Sequence, residues 1–196
     1  MNLIEINRCE EKIIVNQYQD LKLFKLPKGF RGRSALYVQL WWLVQATLFR
    51  WSPQIMYGFR VWILKIFGAQ VGVGVEIRPT VTITYPWKVS IGNYVRVGDD
   101  VVIYSLGEIK IGENSVISQR AYLCAGDHDY TDNAFPIRSR PISIEEECWI
   151  ATDVFLSPGI TIGRGAVIGA RSTVLESMPS GMVCVGIPCK PIKSRK

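Results

Sequence analysis

The amino-acid sequence predicts a mainly β fold, a three-sided prism of about five stacked parallel coils preceded by a helical segment. Three observations carry that prediction. From Val71 onward an aliphatic residue returns at every sixth position: Val71, Ile77 and Ile83, then Ile91, Val97 and Ile103, then Ile111, Ile117 and Leu123, and after a break Ile144, Ile150, Leu156, Ile162, Ile168 and Val174. A period of six matches neither a 3.6-residue helix nor plain two-residue alternation, so short extended pieces must bend at a fixed interval. Second, Val71, Ile91 and Ile111 lie twenty residues apart, which is three six-residue sides plus a two-residue corner insertion, placed near Tyr85-Pro86 and Leu106-Gly107. Third, glycine often follows the aliphatic slot, as at Gly72, Gly92, Gly112 and Gly169, and a small or branched residue stands four positions after it, as at Val75, Val95, Ser115 and Ala166. Coils that stack one strand spacing apart, ~4.8 Å, give a column about 24 Å tall.

The chain divides accordingly. Residues 1–20 form an N-terminal extension, 21–70 a basic, Trp-rich helical segment, 71–183 the prism with a loop at 127–141, and 184–196 a basic C-terminal tail. Between Leu21 and Val75 there is no acidic residue, against eight Lys and Arg, and four of the six tryptophans lie here. Ser34 is placed to cap a helix through Phe49, and Ser52-Pro53 to start a second helix running to about Phe67. Sixteen residues rise about 24 Å as a helix, short of the ~30 Å hydrocarbon core, so no span is expected. The segment suits two compatible tasks: covering the unpaired end of the prism, and resting on an anionic membrane surface.

Composition excludes several classes. The formal charge is +6, but residues 71–196 carry thirteen bases and thirteen acids, so the prism offers no polyanion groove and no nucleic-acid partner is expected. Five cysteines, Cys9, Cys124, Cys148, Cys184 and Cys189, form no close-spaced ligand pair and their odd number leaves no complete disulfide framework. The acidic start, with Glu5, Glu10 and Glu11, is not that of a secretory signal, so a cytoplasmic location is expected. No metal site is expected: a three-histidine zinc site cannot be built by a chain with one histidine.

Several stretches together carry a resemblance: Ile77-Arg78-Pro79 through Ile83-Thr84-Tyr85-Pro86-Trp87, then Ile117-Ser118-Gln119-Arg120, then Asp127-His128-Asp129-Tyr130-Thr131-Asp132. With the hexads they resemble the hexapeptide-repeat acetyltransferases, and within them the colanic-acid and exopolysaccharide type, over roughly residues 24–193. The resemblance implies a left-handed parallel β-helix, a homotrimer, acetyl-CoA as donor lying between neighbouring subunits, and a sugar or lipid-linked oligosaccharide as acceptor.

Transfer of an acetyl group from a thioester to a hydroxyl requires a base, because the alcohol is a weak nucleophile at neutral pH, and histidine is suited to that task. His128 is the sole histidine and stands where the coil pattern breaks. The resemblance makes it the catalytic base for direct transfer, its ring oriented by Asp127, Asp129 or a backbone carbonyl. No serine or cysteine pairs with it in a nucleophile motif, although Cys124 stands as a weaker alternative for a covalent route. For the donor the resemblance implies Trp149, Ala151, Thr152, Gly169 and Ala170 beside the pantetheine arm, with Arg171 and Lys190 near phosphate. For the acceptor it suggests Asp100, with Tyr104, Ser105, Asp127 and Tyr130. An N-acetyltransferase acting on a nucleotide-linked amino sugar, or a non-catalytic β-helix scaffold, are the rival readings.

Overall fold

The structure is a computed structural model that describes residues 17–196. Most of the expected extension, with Cys9, lies outside the described residues. Hexads become strands two or three residues long. The first coil is Gln70–Val71, Glu76–Ile77 and Thr82–Ile83, and the second is Val89–Ile91, Arg96–Val97 and Val102–Tyr104. Ile109–Ile111, Val116–Ile117 and Tyr122–Cys124 make the third, and Ile142–Ile144, Trp149–Ile150 and Phe155–Leu156 the fourth. Thr161–Ile162, Val167–Ile168 and Thr173–Val174 complete the fifth. A sixth is begun by Met178, bridged to Ile162, and by Met182–Gly186, which pairs parallel with Val167–Ile168.

Register follows the aliphatic slots: Val71 sits over Ile91, Ile91 over Ile111, Ile111 over Ile144, and Ile144 over Ile162. None of the fifteen slot residues is more than 8% exposed, so the whole set forms one continuous core column. Each such side chain contributes about 1.5–3 kcal/mol relative to remaining in water. Corners obey a second rule that the sequence pattern did not reveal. The residue three past the slot takes a left-handed backbone at Tyr94, Asp100, Asn114, Arg120, Glu147, Asp153 and Arg171, with φ between 56° and 60°.

The helical segment seals the first coil. Helix α1, Ala35–Val44, starts at Ser34, whose hydroxyl accepts from Tyr37 N at 3.3 Å, as the sequence predicts. It does not continue as α-helix to Phe49: Gln45–Phe49 is a wider π-helical stretch. There the Gln45 side-chain oxygen accepts from Ile83 N at 2.7 Å, while Thr47 Oγ1 donates back to Leu43 O at 2.7 Å. Helix α2 is Tyr57–Ile66, four residues later than Pro53 suggested. Ser52 does not cap it; its hydroxyl donates to Phe49 O at 2.6 Å and accepts from Arg60 Nη1 at 2.8 Å.

Trp41 Nε1 donates to Ile83 O at 2.8 Å and the buried Arg60 donates through Nε to Ile77 O at 2.6 Å. Backbone groups on the otherwise unpaired first coil are thereby satisfied by helix side chains. At the other end Cys189–Ser194 folds back antiparallel on Met182–Gly186, so strand pairing continues past residue 183 into the expected tail.

Candidate active site

After Tyr122–Cys124 the chain leaves the prism, and the polar break is an ordered antiparallel hairpin. Gly126–His128 pairs with Ile137–Ser139, setting Asp127 opposite Arg138 and His128 opposite Ile137. Arg138 clamps its root: Nε and Nη2 donate to the two Asp127 carboxylate oxygens at 3.0 and 3.1 Å, and Nη2 also donates to His128 O at 3.1 Å. Arg138 Nη1 lies 3.3 Å from Asp129, and Arg140 Nη2 lies 3.3 Å from Asp127. Asp129 accepts from Thr131 through both hydroxyl and backbone N–H, and these bonds, helped by Arg138 and Arg140, hold its carboxyl below the usual range.

His128 is half-buried and its Nδ1 lies 2.9 Å from Phe135 O. A carbonyl oxygen only accepts, so Nδ1 of the neutral ring carries the proton and Nε2 keeps its lone pair. Of the three possible orienting groups the structure selects the carbonyl, both carboxylates being engaged with arginines and threonine. The Phe135 ring also stacks on the imidazole, 4.3 Å between centroids and 9° between planes. Phe135 has φ +47°, a left-handed backbone that costs a bulky residue roughly 1–2 kcal/mol.

An N-terminal arm, residues 20–31, runs against this hairpin. Asp20 N donates to Asn133 O at 2.7 Å, and the Phe24 ring lies 6.1 Å from the imidazole at 48°. Trp87 Nε1 donates to Arg31 O at 2.7 Å, and Lys88 Nζ bonds both Phe30 O and Leu106 O. The Cys124 thiol donates to Gly126 O at 3.1 Å, and burial pushes its pKa up, away from a reactive thiolate.

No protein-family model matches the chain. Over 177 residues it is 57% identical to WcaF of Escherichia coli (strain K12), named as a colanic acid biosynthesis acetyltransferase, a match covering 90% of this chain and 97% of that one. The chain belongs to the colanic acid acetyltransferase family. The galactoside O-acetyltransferase of the same bacterium is 30% identical over 135 residues, covering 67% of this chain and 66% of that one. Among solved structures, the hexapeptide-repeat acetyltransferase VCA0836 of Vibrio cholerae O1 biovar eltor, complexed with acetyl coenzyme A, shares the fold. Its TM-score is 0.75 at 22% identity, covering 84% of this chain and 92% of that one. The prism is accordingly the left-handed parallel β-helix of the hexapeptide-repeat acetyltransferases.

The remaining candidates separate within this acetyltransferase. Tyr104 borders the hairpin root, its carbonyl accepting from Ala125 N at 3.0 Å and its ring 6.0 Å from Tyr122. Tyr130 projects from the tip, 78% exposed. Ser105 does not fit an acceptor role: it is fully buried, and its hydroxyl both accepts from Tyr85 N and donates to Tyr85 O, at 2.8 and 3.0 Å. Asp100 stands at the corner between second and third faces, left-handed, its N–H held by Thr80 Oγ1 at 2.8 Å. That conformation alone accounts for a polar residue there.

Trp149 lies on the second face between Val116 and Val167, half exposed, with Nε1 donating to Ser118 Oγ at 3.0 Å. The Ala151 and Gly169 N–H groups are consumed between coils, by Ile168 O and Cys184 O at 3.0 and 2.8 Å. Thr152 and Ala170, next along the same corner, leave theirs out of the coil-to-coil ladder. Arg171 is exposed and lies 3.7 Å from Asp153, while Lys190 pairs with Glu176. Sequence reasoning missed Phe24, Phe135 and Arg138. None lies in a hexad, and only the hairpin fold makes them neighbours of His128.

Proposed function

We propose that the protein is an acetyl-CoA-dependent O-acetyltransferase that esterifies a sugar hydroxyl during exopolysaccharide assembly, with His128 as general base. One observation carries the reading: the Phe135 carbonyl accepts the Nδ1–H hydrogen bond of the only histidine, which leaves Nε2 as a proton acceptor at the root of the hairpin. Nε2 removes the proton of the acceptor hydroxyl as its oxygen bonds to the thioester carbonyl carbon. The tetrahedral intermediate then expels the CoA sulfur, which takes the proton back from the imidazolium. Direct transfer is favoured over a covalent relay through Cys124, because burial pushes that thiol's pKa up, away from a reactive thiolate. Family membership and the acetyl-CoA complex of the Vibrio relative support the donor.

The second face and its corner suit the pantetheine arm, with Trp149 beside it and the Thr152 and Ala170 amides as donors. Arg171 and Lys190 suit the phosphates, and Tyr104, Tyr130, Asp127 and Asp100 belong to the acceptor side. The reading takes the active unit as a homotrimer in which neighbouring subunits share each donor cleft.

The same proposal places the enzyme in the cytoplasm, with residues 21–67 touching the inner membrane face where a lipid-linked acceptor would sit. Leu36, Leu48, Trp51, Ile55 and Trp62 are all more than half exposed on a segment that carries bases and no acid. Among the described residues no helix is long and apolar enough to cross a membrane. Salt-sensitive pelleting with anionic vesicles tests this part, and absence of binding at low salt removes it. The chemistry is tested by thiol release from acetyl-CoA against free sugars and lipid-linked oligosaccharides, with an alkali-labile acetyl ester on the product. Acceptor-independent or absent release would refute it.

A further inference from the structure

We infer that Phe24 and Phe135 form an aromatic clamp that fixes the His128 imidazole, which makes both positioning residues and makes the N-terminal arm part of the active site. The inference rests on His128 being the base. A catalytic imidazole must hold both its tautomer and its tilt, because a small misplacement of the basic nitrogen is costly to transfer. In many sites a carboxylate does the first job. Here Asp127 is bound bidentate by Arg138 and Asp129 is taken by Thr131, so the Nδ1 proton has only the Phe135 carbonyl. One hydrogen bond favours the tautomer, but a ring free to tilt breaks that bond and lets the two tautomers average.

The tilt is removed by rings. Phe135 lies nearly parallel to the imidazole at 4.3 Å, and Phe24 approaches at 6.1 Å with its plane at 48°. Phe135 thus supplies carbonyl and stacking face from one residue. That double use gives a reason for its left-handed φ of +47° immediately before Pro136, a position where proline normally enforces extended backbone. Phe24 arrives from the far end of the chain and is held there by the Asp20 to Asn133 bond and by the Trp87 and Lys88 bonds to Arg31 and Phe30. It is 36% exposed and absent from the hydrophobic core, so its removal leaves the prism intact.

The chain's single histidine makes the test direct. Full-length protein labelled with 15N-histidine and purified without a histidine tag gives one imidazole spectrum, whose 15N shifts separate the two neutral tautomers. Wild type is expected to show the fixed Nδ1–H tautomer. Phe24→Ala and Phe135→Gly, the latter keeping the carbonyl, are expected to show averaged tautomers. Both should lower kcat about tenfold or more with the acetyl-CoA KM within about twofold, and Phe24→Tyr should restore both readouts. Phe24→Ala with the wild-type imidazole spectrum overturns the clamp, whatever its turnover. If instead His128→Ala retains turnover, the base assignment fails separately, while the spectra still decide whether the ring is clamped.

Discussion

At Gly112 the coil spacing leaves no room for a side chain, and Gly112→Ala measures how strictly. A Cβ at Gly112 would lie 2.5 Å from Glu145 C and Glu146 N and 2.7 Å from Glu145 O, all backbone of the next coil. Ordinary carbon contacts are about 3.5–4.0 Å, so coils three and four must separate by roughly 1 Å, a fifth of the ~4.8 Å strand spacing. The Gly112 N to Ile144 O bond, now 2.7 Å, lies across that gap. Overpacking against backbone has no flexible side chain to relieve it, and a loss of about 3 kcal/mol is expected. For a chain of this size that lowers Tm by about 6–12 °C. Gly165→Ala is the control. Gly165 has φ +70°, but a Cβ added there would meet no atom nearer than Gly181 Cα at 4.0 Å, so only backbone strain of about 1–2 kcal/mol applies, part of it offset in the unfolded chain. Urea denaturation at constant m compares the two. A Gly112→Ala loss no greater than that of Gly165→Ala would refute the reasoning.

Further outcomes follow from individual groups. Ser105→Ala strips the Tyr85 N–H and C=O of their buried partner and should cost about 2–3 kcal/mol in denaturation without changing acetyl-CoA affinity. Burial pushes the Cys148 thiol up to about 11 from an ordinary 9.0, so the unfolded chain ionises first as pH rises. Its contribution is complete below pH 9 and is lost between 9 and 11, a decline of roughly 2–3 kcal/mol that Cys148→Ala should abolish in denaturation curves at those pH values. Cys184 and Cys189 are likewise buried and should react with thiol reagents, like Cys148, only on unfolding, which mass-spectrometric labelling checks.

The hexads carried most of the fold because the prism's core is periodic: each slot residue meets its counterpart one coil away, and the pattern resumes after the hairpin at Ile144, which stacks on Ile111. Corner conformation was less legible, since Tyr94, Asn114, Arg120 and Arg171 share a left-handed backbone while differing in chemistry. Ser52 and Ser105 misled for one reason: a serine reads as a cap or a ligand donor, and here each hydroxyl is spent on buried backbone or on Arg60. The proposed base was visible as the lone histidine at the break. Its environment was not, because Phe24 and Phe135 reach His128 only through a hairpin and an arm that no repeat or motif announces.

The most direct test of the account is His128→Ala, measured for acetyl-CoA binding by calorimetry and for acceptor-dependent thiol release in the same preparation. A general base at this position predicts donor affinity close to wild type and turnover lowered by about 10²–10⁴. Turnover at the wild-type rate with the imidazole gone would contradict it.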